Sequence, residues 1–552
     1  MTDHYDVIVI GSGAGGGTLA HSLAATGARI LILERGGYLP REIDNWDSRA
    51  IWLDQKYHNS GQWLDTATGK RFSPKQHYYV GGNTKVYGAV LFRFRERDFQ
   101  QIRHVDGVSP AWPIDYADLE PWYTKAERLY QVHGERGSDP TEPPSAVPYP
   151  YPAISHEPRI AQLEADLRGA GLTPFPLPNG ILIDEQEPFR SPCIRCATCD
   201  GYPCPTNGKA DAQVICVEPA LRYPNVTLLT HAQVTRLLCE PSGRRVERVQ
   251  VERRESGPGG PVTAREHYSA DVVVVACGAI NSAALLLGSA DERHPDGLGN
   301  SSGVVGRNLM MHNNSSLIAF SRIPNPTRFQ KTLGINDYYF GDGDWPYPLG
   351  AIQMLGKSDA TLIGFDAPDA ADPADLARHA LDFWLTTEDL PLHDNRVTVD
   401  ADGQIALHYS PTNLEAHRRL RGRFSDLLDT MRCREQIIEN SRYLGGRLGI
   451  NGVAHQNGTV RFGPDPATSA LDLDCRLHDL DNVYVADSSF FVSSTAVNPT
   501  LTIIANALRV ADRIADRMGL AATLPVLQTG SRSSRGPRDL PTPSRGPVGA
   551  GR

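Results

Sequence analysis

A histidine and an asparagine in the last fifth of the sequence have the side-chain types needed to activate a hydroxyl group. His455 lies in VAHQNGTVRFG, three residues before a Gly-Thr pair, and Asn498 lies in VNPTLT. A neutral imidazole suits general-base catalysis because its ordinary pKa is about 6.5. An amide takes no proton but can hydrogen-bond a substrate oxygen. Taken alone, both residues also fit plain structural roles, a histidine bound by backbone carbonyls and a turn asparagine before Pro499.

A glycine-rich turn near the start of the chain predicts dinucleotide binding. Gly11, Gly13 and Gly16 form G-x-G-x-x-G between the apolar runs YDVIVI and ARILILERG, and Glu34 ends the second run. Such glycines permit a tight turn, a close approach of the backbone to a pyrophosphate, and close packing of helix on strand. The acidic residue can accept hydrogen bonds from ribose hydroxyls. The alternative is a glycine-rich turn of an unrelated α/β fold.

Four cysteines form a second cluster that could do chemistry. Cys193, Cys196, Cys199 and Cys204 have the spacing C-x2-C-x2-C-x4-C, and proline follows the last of them. Bacterial ferredoxins have a similar run whose last gap is one residue shorter. The spacing leaves three alternatives open: an iron–sulfur cluster with Cys216 as a further ligand, a zinc site, and a metal-free loop of thiols or disulfides.

The elements that position these residues follow from the pattern of apolar runs, which predicts an α/β protein, α+β overall. Short apolar runs that end in glycine are typical of buried parallel strands. The pattern predicts a helix capped by Asp115, two short strands over 223–238, a strand–turn–helix over 270–287, a hairpin turning at 401–403, an amphipathic helix over 411–431, and a long helix over 498–518.

Composition and charge exclude some classes of function. The 552 residues carry a net charge of −9, which argues against nucleic acid as a partner because phosphate binding needs a positive face. The sequence contains no run of 18 apolar residues, so no membrane span is predicted. The first residues lack the features of a secretory signal. We therefore expect a cytoplasmic protein. The segment 528–552 is rich in Gly, Pro, Ser and Arg and is predicted to be disordered.

Three motifs in one chain order resemble the glucose–methanol–choline (GMC) family of FAD-dependent alcohol oxidoreductases. They are the N-terminal glycine turn, VGGNTKVYGAVLFR at 80–93, and VADSSFFVSSTAVNPTLTIIANAL at 485–508, joined by HQNGTVRFG. Within the family, these motifs most resemble those of sugar-acting members: the pyranose oxidases, C-glycoside 3-oxidases and aminoglycoside alcohol oxidases. The resemblance implies a Rossmann-like FAD-binding domain with an inserted substrate domain built on an antiparallel sheet. The implied FAD-binding ranges are 1–100, 190–320 and 440–527, and the implied substrate lobe comprises 101–189 and 321–439.

The same resemblance implies the site residues. His455 is the implied general base and Asn498 its partner. The implied FAD-binding residues are Gly11, Gly13, Gly16, Glu34, Gly81, Gly82, Thr84, Val234, Asp487, Asn498, Pro499 and Thr500. FAD is expected to be noncovalent because GGNTKVYG lacks the histidine that pyranose oxidases bond to the flavin. Tyr87 departs from the asparagine of many members, and no metal is implied at the cysteine cluster.

The resulting hypothesis is FAD-dependent oxidation of a sugar, glycoside or polyol hydroxyl to a carbonyl, with hydride transfer to flavin N5. The electron acceptor is left open between oxygen and a quinone or carrier, and so is assembly into a homo-oligomer. Two alternatives are an NAD(P)-dependent dehydrogenase and a non-catalytic flavin-binding protein. The nicotinamide alternative does not account for the segment from Asp487 to Pro499.

Overall fold

The computed structural model describes residues 3–58, 61–74, 76–256, 259–431, 433–439, 449–450, 452 and 454–521. The segment 528–552, predicted to be disordered, lies outside these residues. The helices of the described part are α1 (Ala14–Ala24), α2 (Tyr116–Leu129), α3 (Pro158–Gly169), α4 (Glu218–Ala220), α5 (Ala279–Gly288), α6 (Ala360–Asp366), α7 (Pro373–His379), α8 (Leu414–Thr430) and α9 (Thr500–Met518).

The strands of the described part follow in chain order. They are β1 (Asp3–Ile10), β2 (Ile30–Leu33), β3 (Trp63–Asp65), β4 (Lys70–Phe72), β5 (Ile102–Arg103), β6 (Val108–Ser109), β7 (His133–Gly134), β8 (Tyr151–Pro152), β9 (Phe175–Pro176), β10 (Val226–Leu229), β11 (Ala232–Cys239), β12 (Val246–Arg254), β13 (Val262–Val275), β14 (Met310–Met311), β15 (Asn313–Ser321), β16 (Leu333–Ile335), β17 (Ala351–Met354), β18 (Ala380–Thr387), β19 (Arg396–Val399), β20 (Ile405–His408), β21 (Cys433–Glu439), β22 (Gln456–Asn457) and β23 (Val483–Val485).

One sheet has a parallel core with the order β10-β2-β1-β13-β23, and β12 and β11 continue it from the first half of β13. This is the order of a Rossmann-like nucleotide-binding half, in which ligands lie beyond the carboxyl ends of the strands. The central strands are almost fully buried because helices cover them, and α1 packs against α9. The predicted Rossmann-like fold is therefore confirmed, and the strand–turn–helix over 270–287 extends the first sheet as expected.

The second sheet is antiparallel, with the order β21-β15-β18-β17-β16-β9. Apolar residues on one face pack against α8, whose buried side Ala416, Leu420, Phe424 and Leu428 follows helical spacing. The predicted second, antiparallel sheet is confirmed. Strand β15 belongs to this sheet, although most of its residues precede the substrate-lobe boundary at 321. The domain ranges remain predictions.

The hairpin β19–β20 turns at 401–403 as predicted, but it lies outside the second sheet. It joins β3 and β4 in a separate four-stranded sheet, and β19 contacts α5 of the first sheet. The predicted helix capped by Asp115 is α2, and the long C-terminal helix is α9. Within the described residues, no helix is both long and apolar enough to span a membrane.

Candidate active site

A cavity of about 750 Å³ runs between the carboxyl ends of the first sheet and one face of the second. This is where the strand order of a Rossmann-like sheet predicts a ligand. The cavity is large enough for a cofactor and a small substrate. Among the predicted residues, those that line it are Gly11, Gly13, Glu34, Gly82, Thr84, Val234, His455, Asp487, Asn498, Pro499 and Thr500. The two remaining predicted residues, Gly16 and Gly81, do not line the cavity.

Each glycine of the N-terminal turn has a different structural role. Gly11 has φ +99°, and a Cβ atom there would lie 2.3 Å from the Ala276 carbonyl oxygen. A Cβ atom on Gly16 would lie 2.1 Å from the Gly11 carbonyl oxygen, so Gly16 allows α1 to pack on the turn. Gly13 has an ordinary φ of −71° and its nearest Cβ neighbour is 3.9 Å away. The space at Gly13 therefore faces the cavity, where a phosphate can approach the helix N-terminus.

Glu34 is buried at the end of β2 and receives several hydrogen bonds. Its Oε2 accepts from the Ser12 hydroxyl at 2.6 Å and the Ser12 amide at 3.1 Å, and its Oε1 accepts from the Gly36 amide at 2.9 Å. Burial raises the pKa of Glu34, and these donors oppose that shift. Ser12 also accepts from the Gly81 amide at 3.1 Å, which ties the first glycine turn to the middle motif. The sequence analysis missed this role of Ser12.

The middle motif turns sharply beside the first glycine turn. Gly81 and Gly82 have φ +95° and +55°, and a Cβ atom on Gly82 would lie 3.1 Å from Gly13 Cα. Thr84 closes the turn by donating to the Gly81 carbonyl at 2.5 Å and accepting from the Ala212 amide at 2.9 Å. The glycine pair therefore brings two backbone segments together at the cavity wall, as a glycine motif near a cofactor requires.

Tyr87, the departure from many GMC members, lines the cavity but directs its hydroxyl into the protein. The hydroxyl donates to the Ala210 carbonyl at 2.5 Å, and burial raises the pKa of Tyr87 well above its ordinary value. The phenol is therefore neutral at physiological pH.

Asp487 joins three segments at the end of β23. Its Oδ2 accepts from the Ser282 hydroxyl at 2.5 Å and the Gly278 amide at 3.0 Å, and its Oδ1 accepts from the Ser489 amide at 2.9 Å. Burial raises the pKa of Asp487, and these donors oppose the shift. The carboxylate thus anchors the amino end of α5 against the cavity. Val234 of β11 also lines the cavity.

The Asn498-Pro499 turn leads directly into α9. Asn498 and Thr500 are half-buried, Pro499 is buried and caps the helix, and all three line the cavity. The N-terminus of a 19-residue helix therefore points at the cavity. Its unpaired amides and partial positive charge favour a negatively polarised group there.

His455 is half-buried at the cavity wall, and a second histidine holds it. The Nδ1 atoms of His312 and His455 are 2.9 Å apart, with the rings nearly perpendicular at 85°. His312 Nε2 lies 3.0 Å from the carbonyl oxygen of Ser494. Burial lowers the pKa of both histidines, so both rings are neutral at physiological pH. The sequence analysis assigned no role to His312.

The partners of His312 determine the tautomers of the pair. A carbonyl oxygen only accepts, so the Nε2 atom of neutral His312 carries its proton. Its Nδ1 atom is then an acceptor, and His455 Nδ1 must be the donor. This assignment follows from the hydrogen-bond partners. His455 Nε2 is left with a free lone pair, which is the form that a general base requires.

The four-cysteine loop lies beside the cavity and is held by hydrogen bonds. The Cys196 thiol donates to the Thr198 carbonyl at 3.1 Å, and Cys204 Sγ accepts from the Gly208 amide at 3.2 Å. Burial raises the pKa of Cys193 to about 12 and that of Cys199 to about 11. Within the described residues, no group of three or more His, Cys, Asp or Glu side chains is arranged to hold a metal ion. A metal-free loop stays a prediction.

Two family models described as GMC oxidoreductase match the chain, one over residues 5–314 and one over residues 394–507. A 6'''-hydroxyparomomycin C oxidase from Streptomyces lividus is 34% identical over 546 residues, which cover 93% of this chain and 92% of that protein. A paromamine 6'-oxidase from Streptomyces fradiae is 31% identical over 554 residues, which cover 93% of this chain and 91% of that protein.

A solved structure has the same fold. The pyridoxine 4-oxidase from Mesorbium loti superposes with a TM-score of 0.62 and 20% sequence identity, and the superposition covers 92% of this chain and 99% of that chain. At this identity the likeness carries the fold and no more.

Proposed function

The chain belongs to the GMC oxidoreductase family, whose members bind FAD and act on CH–OH groups, and from this membership we infer its function. We propose that it oxidises a hydroxyl of a sugar, glycoside or polyol to a carbonyl, with His455 as the general base. The observation that carries this proposal is the hydrogen-bonded pair of neutral histidines, which leaves a lone pair on His455 Nε2 at a cavity also lined by Asn498.

The cavity residues fit FAD. Glu34 retains acceptor capacity for ribose hydroxyls, and the space beside Gly13 and Gly82 admits a pyrophosphate at the start of α1. The Asn498–Thr500 turn offers the amino end of α9 to the ring system. Gly16 contributes by allowing α1 to pack on the first turn, and Gly81, with φ +95°, allows the middle motif to turn.

Bound FAD would supply the two-electron acceptor for the hydride of the carbinol carbon. The chain supplies the rest. His455 Nε2 accepts the hydroxyl proton, and the Asn498 amide hydrogen-bonds the substrate oxygen and orients it. His312 holds His455 in the reactive tautomer, because its own Nε2 proton is committed to the Ser494 carbonyl. When the His455 imidazole becomes cationic, its Nδ1 proton keeps its hydrogen bond to His312 Nδ1, so the charge remains hydrogen-bonded.

We propose that FAD is held without a covalent bond. The segment from Gly81 to Gly88 contains no histidine or cysteine. Besides His455, the histidines His58 and His77 and the thiol of Cys277 line the cavity outside this segment. Acid precipitation should release the flavin into the supernatant, and flavin retained in the pellet would contradict this part of the proposal.

The relatives support a sugar-like substrate. Two of them are named as oxidases of paromamine and of a hydroxyparomomycin, and they cover most of this chain. The electron acceptor is proposed to be oxygen or a quinone or other carrier. The test is a screen of sugars, glycosides, aminoglycosides and polyols under air, with and without an artificial acceptor dye. We expect at least one of these alcohols to bleach the flavin anaerobically and to yield a carbonyl product.

Two outcomes would favour other functions. Purified protein without flavin that reduces NAD(P)+ with an alcohol would favour a nicotinamide-dependent dehydrogenase. Flavin that no alcohol of the screen bleaches would favour a flavin-binding protein without this activity.

A further inference from the structure

One face of the second sheet forms the wall of the cavity opposite the first sheet. Side chains alternate between the two faces of a strand. On β15 and β18, Leu317 and Phe383 pack toward α8, whereas Ser316 and Trp384 line the cavity. The side chains of this sheet that line the cavity are Asn314, Ser316, Gln353, Asp382 and Trp384.

The strand register places these side chains in a row of cross-strand residue pairs, each of which we call a rung. Ser316 pairs with Trp384, and Trp384 pairs with Gln353 on the other side, so an indole lies between a hydroxyl and an amide. Ile318 pairs with Asp382 one rung further along. Successive rungs are two residues apart, which is about 6.8 Å in an antiparallel strand.

The row begins next to the histidine pair. His312, which bonds His455, precedes β15 by one residue, and Asn314 is the first side chain of the row. Asn314 is 1% exposed, and its Oδ1 has no hydrogen-bond partner in the described part of the chain. A buried acceptor without a partner is unfavourable, so a ligand donor is expected to satisfy it.

Trp384 presents a partly exposed indole to the cavity, although its neighbours in β18 are buried. Aromatic rings provide flat apolar area, and the C–H face of a pyranose ring is complementary to it. Ser316 and Gln353 flank the indole and can hydrogen-bond hydroxyls at the rim of such a ring. A flat apolar indole flanked by a hydroxyl and an amide is therefore complementary to a sugar ring.

Asp382 ends the row with a buried carboxylate. It is 1% exposed, and it accepts from Gln330 Nε2 at 2.8 Å and from the Ser358 amide at 3.2 Å. Burial raises the pKa of Asp382, and the charge of nearby Lys357 opposes that shift. In the described residues, however, no Lys, Arg or His nitrogen lies within ion-pair distance of this carboxyl group, and the Lys357 amine donates to the Asn325 carbonyl. A desolvated carboxylate held by neutral donors gains from a cationic partner.

We infer that this face is a cleft for an amino sugar of at least two rings, with the oxidised ring at Asn314, the next ring on Trp384 and an ammonium group at Asp382. The inference rests on the proposed function. From the Asn314 rung to the Asp382 rung the strand advances about 14 Å, which exceeds the span of a single pyranose ring. The histidine pair lies at one end of this row, so a terminal ring is oxidised.

The test compares four compounds that differ only in ring number and amino groups: glucose, glucosamine, cellobiose, and the β-1,4-linked disaccharide of glucosamine. Affinity is measured from the change in the flavin absorbance spectrum of holoenzyme that carries His455→Ala, in which flavin reduction is slowed, so that the spectral change reports binding and needs no turnover. We expect the glucosamine disaccharide to bind at least about tenfold more tightly than glucosamine and than cellobiose.

The variants separate the two contacts. Trp384→Ala should weaken both disaccharides about tenfold and the single sugars much less, and Trp384→Phe should restore part of the loss. Asp382→Asn should weaken the glucosamine disaccharide about tenfold and leave cellobiose unchanged. Trp122→Ala on α2 and Asp512→Asn on the exposed side of α9, both outside the cavity, are matched controls without effect.

Equal affinity for one and two rings, or for cellobiose and its amino counterpart, would overturn the inference, as would control variants that lose as much as the cleft variants. These outcomes are distinct from failure of the proposed function. If the compounds bind in the expected pattern and no alcohol bleaches the flavin, the oxidase proposal fails and the cleft stands.

Discussion

His312 and His455 share a hydrogen bond of 2.9 Å between their Nδ1 atoms, and the other nitrogen of His312 donates to the Ser494 carbonyl at 3.0 Å. This chain of bonds runs from a backbone carbonyl through one imidazole to the next. Because each nitrogen on the chain has a fixed donor or acceptor role, the tautomer of neutral His455 is determined by the fold.

Replacing His455 by alanine should lower the rate of flavin reduction at least about 100-fold, because the hydroxyl proton then has no positioned acceptor. The measurement is anaerobic bleaching of the flavin with a substrate from the screen. The matched control is His478→Ala, since His478 bonds Ser469 and Gly463 outside the cavity. An unchanged rate with FAD still bound would show that His455 is not the base.

Replacing His312 by phenylalanine should lower kcat about tenfold while KM changes little, because the His455 Nδ1 proton loses its acceptor and the ring can adopt the unreactive tautomer. His312→Gln should recover part of the rate, since its amide oxygen can accept the same proton. A residue that only supports packing would instead change the melting temperature and flavin content without this split between kcat and KM.

The activity should persist below the ordinary histidine pKa. Burial lowers the pKa of His455 and His312 from 6.5, so the base stays neutral as the pH falls. We expect the acidic limb of kcat/KM below pH 6.5, and a limb at or above pH 6.5 would contradict the assignment.

The same shifts affect stability. The unfolded chain protonates these histidines near pH 6.5 and the folded chain does so only at lower pH, so the unfolded state binds more protons in between. The free energy of unfolding should therefore fall as the pH drops below about 6.5. Urea unfolding at several pH values measures this, with His312→Gln as the comparison.

Two glycines of the N-terminal turn should respond differently to alanine. Gly13→Ala should leave the apoprotein stable, since its Cβ has 3.9 Å of clearance, yet weaken FAD binding at least about tenfold by filling the phosphate space. Gly16→Ala should destabilise the fold itself, because its Cβ would lie 2.1 Å from a backbone oxygen. Apoprotein melting and flavin titration distinguish them, and wild-type FAD affinity in Gly13→Ala would contradict the predicted phosphate site.

Purified protein should contain flavin without stoichiometric iron or zinc. In the described residues, no three His, Cys, Asp or Glu side chains are arranged to hold a metal ion. Burial also raises the pKa of Cys193 to about 12 and that of Cys199 to about 11, so both thiols are neutral in the metal-free loop. The absorbance spectrum to about 600 nm should be that of a flavin alone. If elemental analysis finds about one equivalent of iron or zinc, the four cysteines form an iron–sulfur or a zinc site, and the prediction of a metal-free loop is wrong.

Much of the cofactor half could be predicted because its signals are local. The glycine spacing, the buried strands and Glu34 all lie within 34 residues. Gly16 is required by a contact within its own turn, whereas Gly11 lies against Ala276 of the neighbouring strand end and Gly13 faces the cavity. Ser12 was missed although it lies inside this motif, because serine in a turn has many ordinary uses. The β19–β20 hairpin was recognised, but which sheet it joins depends on β3, which lies more than 300 residues earlier.

The sequence by itself determined the family, the nucleotide-binding turn and the candidate base, since short motifs report contacts between neighbours along the chain. The tertiary structure alone decided that His312 bonds His455 across 143 residues, and that Asn314, Trp384 and Asp382 share one cavity face. The physical reason is that the tautomer of an imidazole and the neighbours of a strand residue depend on partners brought together by folding, and no spacing in the sequence encodes those partners.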